Sequence, residues 1–292
     1  MKLGVSSYSL APYLREGKMT IYEAIRWVAD NGGEHIEIVP SSFDFDPERM
    51  PERIREAADE AGIAISNYAI GANFLCDSEE DLDREIRRVM DHVDIARRLG
   101  VKRMRHDVGR REKPYIANLV TDIPVFARAC REIADYASAF GIVTSLENHG
   151  YYLQGTDRVQ WLIHEVGREN FRLTLDVGNY LCADENPVMA LNDNLRLASI
   201  VHLKDFYVRP PSRYPGEGWF ASSGGSWLRG AIVGHGDIDM QEVIRQLIAS
   251  GYDGFVTIEF EGLEDCLKAT RLGLSNARRI EAEIRGGYTN GY

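Results

Sequence analysis

Short apolar, β-branched runs alternate with longer amphipathic stretches from one end of this chain to the other. The runs near 2–9, 35–39, 63–70, 103–108, 142–149, 171–178, 200–206 and 255–261 predict strands. Between them the spacing predicts helices near 20–32, 48–61, 79–99, 121–140, 157–167, 187–197, 240–250 and 264–283. In the third, Leu82, Ile86, Val89, Met90, Val93, Ala96 and Leu99 line one face of a 3.6-residue period. Thr20 with Glu23 and Ser78 with Asp81 have capping-box spacing, and Thr156 is placed as an N-cap. Gly32, Gly62, Gly100, Gly141 and Gly251 fall where these helices should end.

Eight strand–helix units without a composition shift predict one α/β domain over 1–292, a closed (β/α)8 barrel. A doubly wound open sheet would put a glycine-rich phosphate loop after the first strand, and Ser6-Ser7-Tyr8-Ser9 offers none. One segment breaks the rhythm. From 207 to 239 the chain has neither period but is rich in Pro, Gly, aromatic and Arg residues, the makeup of an active-site or interface loop.

Composition narrows the classes. Apolar residues make up 44% and charged residues 27%, as in a globular domain with ample core. No apolar run reaches the roughly 18 residues of a membrane span, and the chain opens on a strand pattern, so cytoplasmic residence without a membrane partner is expected. The four cysteines (Cys76, Cys130, Cys182, Cys266) form no CxxC pair and read as reduced, buried thiols. A net charge of −11 with no long basic run disfavours nucleic acid as a partner.

Candidate chemistry gathers late in four strands. Ser145-Leu146-Glu147-Asn148-His149, Leu173-Thr174-Leu175-Asp176, Val201-His202-Leu203-Lys204-Asp205 and Thr257-Ile258-Glu259-Phe260-Glu261 each end an apolar run in donors. Residues two apart share a strand face, so Glu147, Asp176, His202 and Glu259 should point into the barrel while Leu146, Leu175, Leu203, Ile258 and Phe260 face the helices. Three carboxylates and an imidazole in one cleft would repel or neutralise one another unless a divalent cation sat among them. An oxygen-rich set with one imidazole suits Mn²⁺, Mg²⁺ or Co²⁺ better than a thiolate-bound structural Zn²⁺, and Mn²⁺ is the ion expected. Lys204 has the parity of His202 and is read as a substrate contact in the pocket, and His149 could act there as a base or an orienting group. His106 and Glu37, near the ends of strands four and two, are read as substrate contacts, whereas His35, His92 and His164 look structural or exposed.

The Glu-Asn-His-Gly, Leu-Asp-Val-Gly-Asn, His-Leu-Lys-Asp and Ile-Glu segments, in this order, resemble the xylose isomerase-like sugar phosphate isomerase/epimerase superfamily. Gly234-His235-Gly236-Asp237-Ile238-Asp239 resembles its glycine-rich turn before the seventh helix. The resemblance covers essentially the whole chain. It implies a TIM barrel whose metal is held by Glu147, Asp176, His202 and Glu259, a carbohydrate substrate, and a homodimer or homotetramer. It also implies that Glu147 and Glu259 exchange a proton with a substrate whose enediolate the cation stabilises. Same-face return gives isomerisation, opposite-face return epimerisation, and loss of a β-hydroxyl dehydration.

Two positions depart from the free-ketose 3-epimerases of that superfamily. Asn179 stands where they carry a histidine, and Arg209, another expected substrate contact, is out of register with their arginine. An isomerase or epimerase of a sugar or sugar phosphate is therefore the leading expectation, with a keto-sugar or keto-inositol dehydratase or lyase next. An endonuclease IV-like phosphodiesterase and a non-catalytic sugar-binding subunit are the readings from other classes.

Overall fold

The computed structural model describes residues 1–111 and 115–286. Among the described residues eleven strands occur in chain order: β1 (Lys2–Ser6), β2 (His35–Ile38), β3 (Ala64–Ile70), β4 (Arg103–His106), β5 (Val143–Glu147) and β6 (Phe171–Asp176). They continue as β7 (Ala198–Leu203), β8 (Asp205–Arg209), β9 (Phe220–Ala221), β10 (Trp227–Ala231) and β11 (Phe255–Ile258). Eight of them close a parallel barrel in the order β1–β11–β7–β6–β5–β4–β3–β2. The other three make a separate antiparallel sheet, β8–β10–β9. The (β/α)8 architecture expected from the period is therefore present.

The helices are α1 (Ala11–Arg15), α2 (Ile21–Asp30), α3 (Pro51–Ala61), α4 (Glu79–Arg98) and α5 (Leu119–Ser138), then α6 (Thr156–Val166), α7 (Asn179–Cys182), α8 (Pro187–Asn194), α9 (Met240–Ala249) and α10 (Cys266–Gly286). The α2 capping box is complete: the Thr20 hydroxyl accepts from the Glu23 amide, and the Glu23 carboxylate accepts from the Thr20 amide. Ser78 caps α4 by accepting from the Asp81 amide. Thr156 is not a cap. It is the first residue of α6, and its amide and hydroxyl donate instead to Glu185.

The alternation of each barrel strand decides what lies inside. Leu3, Val5, Ile36, Ile38, Leu146, Leu175, Leu203, Val256 and Ile258 are buried in the main core with Ile25, Val28, Val89, Val93, Phe126 and Ile133 of the helices. The opposite parity fills the barrel with polar groups, among them Ser6, Glu37, Ser145, Glu147, Thr174, Asp176 and His202, all buried. At the floor, His35 spans the interior with Nε2 3.1 Å from the Lys2 carbonyl and 3.2 Å from that of Val256.

The segment expected to be irregular is mostly so, but it carries the strands of a small antiparallel sheet. Tyr207–Arg209, Phe220–Ala221 and Trp227–Ala231 pair with registers that include Trp227 opposite both Arg209 and Ala221. Short strands interrupted by Pro and Gly gave no readable period. Beneath the sheet Cys182, Phe206 and Leu228 form their own small core, with Tyr151 and Leu181 against it. Gly230 permits its contact with the barrel: a Cβ there would fall 1.7 Å from the Glu261 carbonyl oxygen. The barrel strands also stop earlier than the apolar runs, with Glu147 and Asp176 as the last residues of β5 and β6. Among the described residues no helix is long and apolar enough to cross a membrane.

Candidate metal centre

Strand register brings the four strand-end donors together. Asp176 lies opposite His202 in the β6–β7 pair, Thr257 lies opposite His202 in the β7–β11 pair, and Glu259 follows two residues later. Glu147, Asp176, His202 and Glu259 are all buried, and one ligand atom from each lies within 4.8 Å of the others. A buried group of this composition could hold a metal ion.

Each donor is aimed by a second residue. Glu37 sits 3.0 Å from His202 Nε2 and also accepts from Ser6 Oγ and Asn67 Nδ2, both at 2.8 Å. That contact leaves His202 Nδ1 facing the cluster, 2.9 Å from Glu259 Oε2. Arg105 Nε donates to Glu147 Oε2 at 2.7 Å, and Asn179 Nδ2 donates to Glu147 Oε1 at 3.0 Å. The Asn179 amide donates to Asp176 Oδ1, while Asn148 exchanges two hydrogen bonds with the Asp176 backbone. Lys204 Nζ lies 2.8 Å from Glu259 Oε1 and 3.2 Å from Asp176 Oδ2.

Crowding shows in the titration of these groups. Burial, joined by the charges of Glu259 and Glu147, raises the Asp176 carboxyl to about 6 despite the opposing Lys204 ammonium. Burial alone would neutralise His202, but Glu37 and Glu259 outweigh it and hold the imidazolium well above its ordinary range. Burial also opposes the Glu259 charge, yet Lys204 and His202 keep that carboxyl well below the usual range.

Two cavities lie near this cluster, and the inner one reaches it. An inner one of about 300 Å³ is walled by Tyr8, Glu37, Arg105, Glu147, Lys204 and Glu259. An outer one of about 470 Å³ shares Tyr8, His149, Lys204 and Glu261 with it and runs out beneath the antiparallel sheet. His149 lies on the rim of both, with its side chain half exposed. Asn179 and Lys204, expected as substrate contacts, line the outer cavity. Glu37 lies deeper, its oxygens already engaged, and orients His202.

Two expected contacts lie elsewhere. His106 is fully buried with its ring packed near Phe74 and Phe171, and it lines none of the described cavities. The reason is parity: buried Met104 marks the shell-facing side of β4, His106 shares it, and Arg105 takes the inward position. Arg209, at the end of β8 in the small sheet, lies over the Trp219 ring and pairs with Asp237 of the glycine-rich turn, and it lines none of the cavities at the cluster. Arg105 was missed although the Arg-Met-Arg-His alternation carries the signal. Tyr8, whose hydroxyl donates to Glu261 Oε1 at 3.0 Å, lies after β1 and gave no signal of its own.

Asp205, beside Lys204 in the motif, is not a ligand. It accepts from the amides of Phe206, Gly234, Gly236 and Ile238, and so ties the glycine-rich turn to the end of β7. A Cβ at Gly236 would fall 2.1 Å from Asp205 Oδ1.

Over residues 25–284 the sequence matches the profile described as xylose isomerase-like TIM barrel. The chain belongs to the xylose isomerase-like TIM barrel family. Within reach of this family member is the inosose dehydratase of Lactiplantibacillus plantarum, 26% identical over 170 residues, which are 54% of this chain and 55% of that protein. The chain spans about half the length of the curated relatives it matches. Among solved structures, D-psicose 3-epimerase from Clostridium cellulolyticum H10 with D-tagatose superposes with a TM-score of 0.73 at 16% identity, covering 96% of this chain and 99% of that one. A xylose isomerase-like TIM barrel protein from Mycobacterium smegmatis in complex with magnesium does so with a TM-score of 0.66 at 18% identity, covering 89% of each.

The residues of this family member fit a divalent ion. Asp176 Oδ2 and His202 Nδ1 are buried, and among the described residues neither has an aligned hydrogen-bond partner, although Lys204 and Glu259 lie within ion-pair distance. A carboxylate on the far nitrogen of a ligating imidazole, as Glu37 is here, is the usual support of a metal-bound histidine.

Proposed function

We propose that this protein is a divalent-metal-dependent isomerase or epimerase of a keto-sugar, with Glu147 and Glu259 as its proton-transfer residues. The carrying observation is that both glutamates belong to the four-donor cluster and also wall the inner cavity. A divalent cation held by Glu147, Asp176, His202 and Glu259 would act as a Lewis acid toward a ketone oxygen and its neighbouring hydroxyl, acidifying the carbon-bound proton between them.

The protein's own groups supply the rest. One glutamate takes the proton, and the other can return one. Their supports differ: Glu147 is held by the Arg105 guanidinium and the Asn179 amide, Glu259 by the Lys204 ammonium and His202. All four donors are buried, which strengthens the electrostatic interactions among them. His149 and Tyr8 stand at the rim where substrate hydroxyls would meet them.

A second reading, dehydration of a keto-inositol or keto-sugar, is favoured by the inosose dehydratase relatives and by Lys204. Its ammonium lies between the cluster and the outer cavity, where it could protonate a departing hydroxyl.

Proton NMR in D₂O separates these readings. Protein loaded with Mn²⁺, and an EDTA-stripped control, would be incubated with ketoses, ketose phosphates and keto-inositols. Metal-dependent deuterium entry beside the carbonyl is expected. Retention of the hydroxyl with inversion or carbonyl migration supports the first reading, and loss of water the second. Absence of exchange across the panel contradicts both.

A further inference from the structure

One cation already stands among the four donors. Lys204 Nζ lies 2.8 Å from Glu259 Oε1 and 3.2 Å from Asp176 Oδ2. It donates to Asn179 Oδ1 at 3.4 Å, and Glu261 Oε2 follows at 3.6 Å. Oxygens of four residues thus surround one buried ammonium, and two of those residues belong to the donor set. The Arg105 guanidinium, by contrast, pairs with a single donor, Glu147, and otherwise with Asp107.

The chain makes room for this arrangement. A Cβ at Gly178 would fall 2.8 Å from both the Cβ and the carbonyl oxygen of Lys204, so the turn after β6 lies against the lysine only with glycine there. The same turn carries Asp176 and Asn179, two of the ammonium's neighbours.

A divalent ion bound to these donors would stand close to that ammonium, and like charges in a buried site repel strongly. The two shared carboxylates differ in how they can answer. Glu259 turns Oε1 to Lys204 and Oε2 to His202 Nδ1, so it can serve the ammonium and the ion through different oxygens. Asp176 has less freedom: its Oδ1 accepts from the Asn179 amide, and Oδ2, buried without an aligned hydrogen-bond partner among the described residues, is left for either cation. The ammonium also has somewhere to go. Lys204 lines both cavities, and Glu261, its side chain half exposed, lines them with it.

We infer that Lys204 is a resident cation of the metal site: its ammonium holds Asp176 and Glu259 together in the metal-free protein, and an arriving divalent ion displaces it from Asp176 toward Glu261. The ion is therefore bound more weakly than the four donors alone would bind it, and the site stays assembled without it. This rests on the metal-dependent reading of the cluster, but its test needs no substrate and no turnover.

EDTA-stripped wild-type protein and Lys204→Met would be titrated with Mn²⁺, with free Mn²⁺ followed by electron paramagnetic resonance. Methionine keeps most of the side chain's length and removes its charge. The variant is expected to bind Mn²⁺ at least about ten-fold more tightly, because the ion no longer meets a like charge. Its metal-free form should unfold at least about 5 °C below the metal-free wild type, and saturating Mn²⁺ should close most of that gap. Equal or weaker Mn²⁺ binding by the variant, or an unchanged metal-free unfolding temperature, would overturn the inference and leave the metal site standing. No Mn²⁺ binding by either protein would overturn it together with the metal-dependent reading. Should the variant not fold, crystals of the wild type with and without Mn²⁺ decide the matter. Nζ is expected to leave Asp176 and approach Glu261 once the ion is bound, and an ammonium still 3.2 Å from Asp176 Oδ2 beside a bound ion would overturn the inference.

Discussion

The two ends of the cleft are built on different principles. At the four-donor cluster, every reactive side chain stands at or just beyond the end of a parallel barrel strand, is buried, and has a second residue aiming it. At the outer cavity the wall is a three-stranded antiparallel sheet, partly exposed, and attached by Tyr151, Asp184 and the close approach at Gly230. On the proposed reading, the first arrangement would fix where a proton and a cation sit, and the second would bear on what else the substrate carries. Chemistry and selection would then lie on separable pieces of the chain, and substitutions should act on one without moving the other.

The largest effect should come from the inner end. Glu147→Gln keeps the shape but removes a base and a charged donor, and metal-saturated exchange is expected to fall about 10²- to 10⁴-fold. Single-turnover exchange in D₂O measures it, and a fall accompanied by an equal loss of substrate binding would blur the separation drawn here. Glu37→Gln is expected to act on the ion and not on the outer cavity. Losing the carboxylate on His202 Nε2 should weaken Mn²⁺ binding about 10- to 100-fold, read by metal titration.

A third test concerns the barrel shell and floor. Burial lowers the pKa of both His106 and His35 to about 4, because an imidazolium there would lose its water. Their contribution to stability is fully present above pH 6.5 and is lost as pH falls from about 6.5 toward 4, where only the unfolded chain takes up the proton. His106→Gln should therefore flatten the stability–pH slope in that window by up to about 1.4 kcal/mol per pH unit, measured by urea unfolding at several pH values. An unchanged slope would mean that His106 titrates normally. The smallest effect belongs to the wall. Tyr151→Phe removes one hydrogen bond to Ala221 and should cost about 1 kcal/mol or less of stability, while leaving the affinity for Mn²⁺ unchanged.

This contrast also explains what was legible in the sequence. The barrel could be read because each strand carries a period of two and each helix a period of 3.6, punctuated by caps such as Thr20 with Glu23 and by glycines such as Gly62 and Gly100 at positive φ. The convergence of Glu147, Asp176, His202 and Glu259 followed from equivalent positions on neighbouring strands. Parity failed where it was not applied: His106 drew attention by residue type, yet Met104 beside it marks Arg105 as the inward residue. The insertion stayed opaque because β9 has two residues and β10 begins after a Gly-Gly-Ser turn, too short for alternation to register. Tyr8 reaches the cleft from a single 3-10 turn after β1 and Glu264 from the loop after β11, segments whose course depends on packing that no local pattern encodes.

The most direct test of the account is anomalous diffraction from crystals of the EDTA-stripped protein soaked in Mn²⁺. A single strong peak within coordination distance of Glu147, Asp176, His202 Nδ1 and Glu259, with Glu37 still on Nε2, is the predicted result. A peak elsewhere, or none at that cluster while Lys204 keeps its place against Asp176 and Glu259, would contradict it.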